Sequence, residues 1–345
     1  MSNKKVDLSK CYCEKPGYCE VFKREMGINP PDWQWCQTST AKEKESFYEI
    51  RCQHKIPPEP SKRFVKTPQM YEAALKIAPQ ISQFDGIVGI PRSGMLPASL
   101  LAVLLSKPLF SIVDQDLHML KFMSDFGGTR MVNFSRRKDL KDLSLVFIDD
   151  TSHSGKTAEK VKEKFGDNIK FGSIFTTSSG SEHIDFYSEI LEPPHFLEWN
   201  FFNSMYTSTT MFDIDGIFCK NVPIEVLHDE DRHIHWLENV EPYLNRIPKL
   251  FSASKLVTGR LERYRSITER WLKKYDFSYG ELIMFPTERE KERNTDHHNV
   301  VGDYKAKIFN SNRDKYFVES EMSEARVIKS KTTKTVICPN EGIVL

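Results

Sequence analysis

The stretch VFIDDTSHSGKTAEKV, residues 146–161, decides how the first half of this chain is read. An apolar run ends in two carboxylates, Asp149 and Asp150. Small hydroxyl residues and Gly155 then open a segment with helical character. Backbone N–H groups and the positive end of a helix favour an anion at such a turn, here over residues 151–157. Adjacent carboxylates would repel that anion, so they need another partner, such as the hydroxyls of a sugar. The pairing points to a sugar phosphate. The GKT at residues 155–157 is not that of a nucleotide-triphosphate P-loop, because the glycine required five residues before Gly155 is Asp150.

Working outward, short β-branched runs at FDGIVGI (84–90), PLFSIV (108–113), LSLVFID (143–149) and IKFGSIF (169–175) read as strands. Helical stretches lie between the first two and after the third, and such alternation predicts a parallel sheet with helices on its faces. Between residues 113 and 143 runs a polar stretch with Gly127-Gly128 near its middle, a length that in compact domains belongs to functional loops. A second α/β unit opens at TTMFDIDG and continues through the strand KLVTGR, a helix over 261–275, KYFVESE and TVIC. For 345 residues two folding units are the natural expectation. The fold class is therefore α/β: two parallel-sheet domains, residues 61–205 and 206–345, behind a short Cys-rich segment, residues 1–60, that ends in the proline-dense IPPEPSK.

Composition narrows the partners. With 39% hydrophobic and 28% charged residues the chain is ordinarily globular, and 49 basic against 48 acidic residues leave a net charge of +1. No global field draws it to nucleic acid or an anionic membrane, so phosphate recognition must be local. The start, MSNKKVDLSK, lacks the apolar core of a signal peptide, and no run approaches the roughly 20 apolar residues of a membrane span. A cytoplasmic protein with no membrane span is expected. Five of the seven cysteines fall in the first 52 residues. In a chain without an export signal that clustering suggests a metal rather than disulfides. Cys11, Cys13, Cys19 and Cys36 supply thiolates for a tetrahedral zinc, with Cys52 or His54 able to replace one of them; an iron–sulfur cluster and reduced, metal-free thiols are the alternatives.

The segment around Asp149 resembles the phosphoribosyltransferase family (type I fold), whose signature is a strand, two acidic residues and a Thr/Ser-Gly-rich loop around a 5-phosphate. The resemblance spans roughly residues 66–200. It implies Asp149 and Asp150 on the ribose hydroxyls of phosphoribosyl pyrophosphate (PRPP), and Thr151, Ser152, Ser154, Gly155, Lys156 and Thr157 around its phosphate. GIPRSGMLPA, residues 89–98, looks like the family's pyrophosphate loop, which implies Arg92, Ser93 and Gly94 on the diphosphate and its magnesium. In purine-specific relatives the position of His153 carries an acidic residue near the acceptor base. A neutral imidazole there could take a proton from a hydroxyl acceptor, because its ordinary pKa lies near working pH. The alternative is an exposed loop histidine without a role. Lys121, Arg130, Arg136 and Arg137 in the long stretch would form a hood over the diphosphate, or else a solvated basic loop.

In the second half, MFDIDGIF (211–218) places two aspartates two residues apart at a strand end. A calcium loop would need a ligand at 217 and glycine at 218, where Ile217 and Phe218 stand. The spacing resembles the DxDG motif of haloacid dehalogenase-like phosphatases, which implies Asp213 as nucleophile and Asp215 as general acid/base. In the family's order follow Thr258 of LVTGR, to bind the transferring phosphoryl group, and Lys305 of DYKAKIF, which fits better than Lys307. KYFVESE supplies Glu319 and Glu321 where the family has aspartates, so the magnesium set is Asp213, Asp215, Glu319 and Glu321, with Glu319 aligned to the principal ligand. His228, His233, His235 and the pair His297-His298 lie in charged surroundings and read as solvated surface rather than a second metal site.

Together the resemblances imply a bifunctional enzyme, a pentosyl transferase and a magnesium-dependent phosphomonoesterase. It is similar to two-module systems of bacterial glycan assembly, in which PRPP donates to a glycan hydroxyl and the 5-phosphate is then removed to leave ribofuranose. The Cys-rich start loosely resembles short motifs attached to glycan-assembly proteins, which implies association with such enzymes. The alternative is a nucleobase phosphoribosyltransferase coupled to a 5'-nucleotidase. A third is a PRPP-sensing module without chemistry.

Overall fold

The computed structural model describes residues 63–113, 116–119, 143–166, 169–227 and 229–345, and Lys62–Leu345 form one compact unit. The Cys-rich segment with Cys11, Cys13, Cys19 and Cys36, and the basic stretch with Lys121, Arg130, Arg136 and Arg137, lie outside the described residues.

In chain order the first half runs β1 (Phe64–Val65), α1 (Thr67–Ile81), β2 (Gly86–Gly89), α2 (Met95–Leu105), β3 (Leu109–Val113), β4 (Asp116–Met119), β5 (Leu145–Ser152), α3 (Lys156–Phe165), β6 (Lys170–Thr176), α4 (Ser178–Ser181), β7 (Phe186–Ile190), β8 (Phe196–Leu197) and α5 (Glu198–Phe201). Helix α1 buries Met70, Ala73, Ala74, Ile77, Ala78 and Ile81, the three-and-four spacing that lays one apolar stripe on a sheet. The sheet has order β4-β3-β2-β5-β6-β7, parallel except for the edge strand β4. All four expected strands are present, and the α/β reading holds. Strand β5 continues three residues beyond the expected end at Asp149, so both aspartates sit within it.

The second half runs β9 (Thr210–Phe212), α6 (Ile224–Leu227), α7 (Glu230–Asn239), β10 (Ala253–Leu261), α8 (Arg265–Lys274), β11 (Tyr279–Phe285), α9 (Glu290–Thr295), α10 (His297–Ser311), β12 (Tyr316–Val318), α11 (Met322–Ser330), β13 (Thr335–Cys338) and β14 (Ile343–Val344). Its sheet has order β11-β10-β9-β12-β13-β14, parallel but for β14 at the edge.

The two sheets are joined by aromatic packing. Strands β1 and β8 pair in parallel, Phe64 beside Phe196, and Phe64 N–H donates to Gly342 O at 3.1 Å. Phe64, Phe196, Phe201, Phe202, Phe212 and Phe218 are all buried in one cluster with the core of the second sheet. Each fully buried phenylalanine contributes about 1.5–3 kcal/mol. The seam therefore fixes the chain leaving the first sheet against the strand that Asp213 follows.

Candidate active sites

Strands β2 and β5 are neighbours, with Gly89 opposite Ile148, so the loops after them meet at the carboxyl edge of the first sheet. That edge is where ligands bind in open α/β folds. Gly94 is needed there, since a Cβ would lie 2.8 Å from Asp149 Oδ1, Ile148 O and Ile90 O. Across this contact Ser93 Oγ donates to Asp150 Oδ1 at 3.1 Å. At the far end of the loop Gly155 has φ +71°, and a Cβ would overlap His183 at 2.3 Å. The loop backbone is pinned from the next strand: Thr176 Oγ1 donates to Ser152 O at 3.0 Å, and Thr177 Oγ1 and Ser179 Oγ donate to His153 O at 2.6 and 3.1 Å. Ser154, Lys156 and Thr157 are exposed at the start of α3, where they are free to meet an anion.

The two carboxylates differ. Asp150 accepts from Ser93 Oγ and Thr151 N at Oδ1, and from Trp199 Nε1 (2.7 Å) and Asn200 Nδ2 (2.8 Å) at Oδ2. With two donors on each oxygen it offers a sugar hydroxyl nothing until one is displaced. Asp149 accepts only the Asp150 N–H, at 2.8 Å among the described residues. Burial, reinforced by the charge of Asp150, pushes the Asp149 carboxyl up to about 8. Arg92 donates to Asn200 Oδ1 at 3.2 Å, so Asn200 bridges the loop after β2 and the end of β5. His153 is exposed, and its ring stacks on buried His195. His195, Trp199 and Asn200 are site-lining residues that sequence reasoning missed.

In the second sheet β9 lies between β10 and β12, which brings Asp213 and Glu319, directly after β9 and β12, level with Thr258, three residues before the end of β10. Lys305 reaches them from α10. Its ammonium is buried, 3.1 Å from Asp213 Oδ2, 2.6 Å from Glu319 Oε2 and 2.9 Å from Glu324 Oε2. Lys307 instead points outward toward Asp303 at 3.8 Å. Three carboxylates hold the lysine pKa well above its ordinary value despite burial. Because they share one ammonium, each is only partly compensated, and burial pushes Asp213 up to about 7 against the pull of Lys305. Asp213 Oδ1 is buried without a hydrogen-bond partner among the described residues.

Asp215 is held differently. Arg260 grips it with both arms of its guanidinium, Nε to Oδ2 at 2.9 Å and Nη2 to Oδ1 at 2.7 Å. Burial raises its pKa, but Arg260 outweighs that and keeps the carboxyl below its ordinary range. Glu321 accepts from Asn221 Nδ2 at 2.7 Å, while Glu319 Oε1 accepts the Ser320 and Glu321 N–H groups. His228 lies outside the described residues; His235 and His298 are exposed. The expectation of solvated surface needs correction for two others. His233 packs edge-on against Tyr264 at 5.0 Å, and His297 is half-buried beside Glu324, with burial lowering its pKa to about 4.

The fit of a dication can be tested on this donor set. Four buried or half-buried carboxylates, Asp213, Asp215, Glu319 and Glu324, face two cations, Lys305 and Arg260. Among the described residues no group of three or more His, Cys, Asp or Glu side chains is arranged to hold a metal ion, although Asp213 Oδ1 is a buried acceptor left without a partner among them.

The raised carboxyls carry a stability consequence. Unfolded, an aspartate titrates near ~3.9. Asp149 at about 8 and Asp213 at about 7 hold protons in the folded state that the unfolded chain has released. Their stabilising contribution is full below the unfolded value and is lost as pH rises through the folded ones. In chelator, the melting temperature should fall from about pH 4 to about pH 8, and Asp213→Asn should remove part of that fall. A wild-type profile that rises across this window would contradict the assignment.

No protein-family model and no curated protein matches the chain. Among solved structures it is similar to the purine phosphoribosyltransferase of Pyrococcus horikoshii, at 22% identity over 39% of this chain and 89% of that one, with a TM-score of 0.28. The xanthine-guanine-hypoxanthine phosphoribosyltransferase of Helicobacter pylori is similar at 16% over 39% and 90%, TM-score 0.28. The adenine phosphoribosyltransferase of Trypanosoma brucei follows at 14% over 38% and 69%, TM-score 0.25. At such scores the likeness assigns no activity. No helix among the described residues is long and apolar enough to cross a membrane.

Proposed function

We propose that this protein transfers 5-phosphoribosyl from PRPP to an acceptor hydroxyl, in a bacterial glycan, and then removes the 5-phosphate to leave ribofuranose. The observation that supports the reading is that one compact unit holds both the paired carboxylates with the loop of residues 151–157 and, at the second sheet, Lys305 bound to Asp213 and Glu319.

In the first site the loop of residues 151–157 binds the 5-phosphate, Asp149 faces the ribose hydroxyls, and Ser93 turns from Asp150 to the diphosphate beside Arg92, which frees an Asp150 oxygen for a ribose hydroxyl. Neutral His153 takes the acceptor's proton as pyrophosphate leaves. In the second site Asp213 attacks phosphorus and Asp215 protonates the departing sugar alkoxide. Water then attacks the aspartyl-phosphate and gives its proton to Asp215. The Arg260 fork, which keeps Asp215 ionised, suits this second, base step; the acid step requires the fork to loosen. Asp213 and Glu319 would hold magnesium, which offsets charge between the carboxylate nucleophile and a phosphate dianion.

Incubation with PRPP and candidate acceptors, followed by mass spectrometry, tests the reading. A glycan gaining one ribosyl unit supports it; a nucleobase converted to nucleoside replaces it with the coupled nucleotidase. For the Cys-rich segment we propose structural zinc, and elemental analysis should find about one zinc per chain that Cys19→Ser with Cys36→Ser releases. Freshly purified protein without metal would reduce the segment to free thiols.

A further inference from the structure

His195 has no part in the chemistry above, yet it lies against the phosphate loop. Its ring is parallel to that of His153 within 4°, with centroids 4.5 Å apart, and its Nε2 is 3.4 Å from Thr151 Oγ1. It is 5% exposed, whereas His153 is exposed. The backbone around His153 is already pinned through the Ser152 and His153 carbonyls. What remains free at an exposed histidine is rotation of the side chain, and a flat buried ring beneath it restricts that rotation.

We propose that His195 is a positioning residue of the transferase, the support that holds the His153 ring over the phosphate loop in the orientation from which it takes the acceptor's proton. This rests on the phosphoribosyl-transfer reading. The neighbouring segment supports the same region, since Trp199 and Asn200, four and five residues on, hold Asp150 in the strand that leads into the loop.

The electrostatics agree with the geometry. Burial, with the charge of His153 adding to it, lowers His195 to about 4, against the backbone carbonyls of Leu191 and Glu192 and the Glu192 carboxylate, which act to raise it. The supporting ring is thus neutral at working pH. Burial also lowers His153, against the pull of Asp150. An imidazole held neutral is the form that can accept a proton.

The test measures pyrophosphate release from PRPP and magnesium, with water and with methyl glycosides as acceptors, for the wild type, His195→Ala, His195→Phe, His153→Ala and the His153→Ala, His195→Ala double variant. His195→Ala should lower kcat roughly 10- to 100-fold, part of the 10²–10⁴ that a positioned base contributes, with KM for PRPP unchanged. His195→Phe, which keeps a flat ring, should recover most of that loss. The double variant should be no slower than His153→Ala alone, because a residue acting through another adds nothing once that other is gone. The acid limb of the pH profile should move to higher pH in His195→Ala as His153 relaxes toward its ordinary value.

Wild-type kcat in His195→Ala, a Phe variant as slow as the Ala variant, or losses that multiply in the double variant would each overturn the proposal while leaving phosphoribosyl transfer intact. A wild-type protein that neither binds nor consumes PRPP would overturn the transfer reading and this inference with it. Release of phosphate from p-nitrophenyl phosphate, unchanged in His195→Ala, verifies that the variant is folded.

Discussion

Asp213→Asn should accumulate an acceptor carrying ribose 5-phosphate, heavier than the finished product by one phosphate, while phosphoribosyl transfer proceeds at its normal rate. The amide has nearly the shape of the carboxylate but cannot attack phosphorus, so phosphatase turnover should fall by on the order of 10⁴-fold or more, the scale of losing a covalent nucleophile. The fold should tolerate the change. Lys305 keeps Glu319 and Glu324 as partners, and the group removed is a buried carboxylate whose ionisation is already disfavoured. Mass spectrometry of the reaction reads the outcome directly. Dephosphorylated product at the wild-type rate would mean that Asp213 is not the nucleophile or that the second site serves another substrate, and the serial mechanism would be wrong.

Much of the fold was legible because a parallel α/β sheet writes itself locally. Runs such as Ile87-Val88 and Val146-Phe147-Ile148 are buried on both faces of the sheet, so they read as continuous apolar strands whatever surrounds them. Carboxylates that follow such runs fall toward the carboxyl ends of the strands, so their position in the sheet could be read for Asp149, Asp213 and Glu319 from the sequence alone. Strand β7, FYSEI, was missed because it lies at the sheet's edge, is only partly covered and has no apolar run.

The partners of the site residues were less legible. Trp199 lies 49 residues from the Asp150 it holds, and a tryptophan reads as core in the sequence, whereas here the half-buried indole lies near Phe175 and donates its N–H to the carboxylate. Arg260 stood in view within LVTGR, yet nothing local ties it to Asp215, 45 residues earlier; only the adjacency of β9 and β10 does. Glu324 sits in the first turn of α11 and reaches Lys305 because that helix packs on α10. Spacing along the chain finds side chains on one element, and these three pairings cross elements.

Asp150→Asn should abolish most phosphoribosyl transfer and spare the phosphatase. Both oxygens of Asp150 accept two hydrogen bonds, from Ser93 and Thr151 on one side and from Trp199 and Asn200 on the other. An amide nitrogen accepts none: turned toward Trp199 and Asn200 it meets two donors, and turned the other way it meets the Thr151 N–H, while the Ser93 hydroxyl can rotate to accept. Losing one or two charge-assisted bonds, at ~1.5–3 kcal/mol each, corresponds to a fall on the order of 10- to 10⁴-fold. The turn that carries Trp199 and Asn200 stays anchored, because Glu198 accepts from Thr67 N at 2.9 Å and from Arg246 at 2.8 and 3.1 Å. Arg246 in turn donates to Ile217 O at 3.2 Å, in the loop after Asp215, so the phosphatase side of the seam keeps its contacts. Hydrolysis of p-nitrophenyl phosphate should therefore remain within about twofold of wild type, as for sites that share no direct partner. Loss of both activities together would show that the two sites are not separable. The phosphorylated product trapped by Asp213→Asn supplies the cross-check, since Asp150→Asn needs only its second site to convert it and should do so as fast as the intact enzyme.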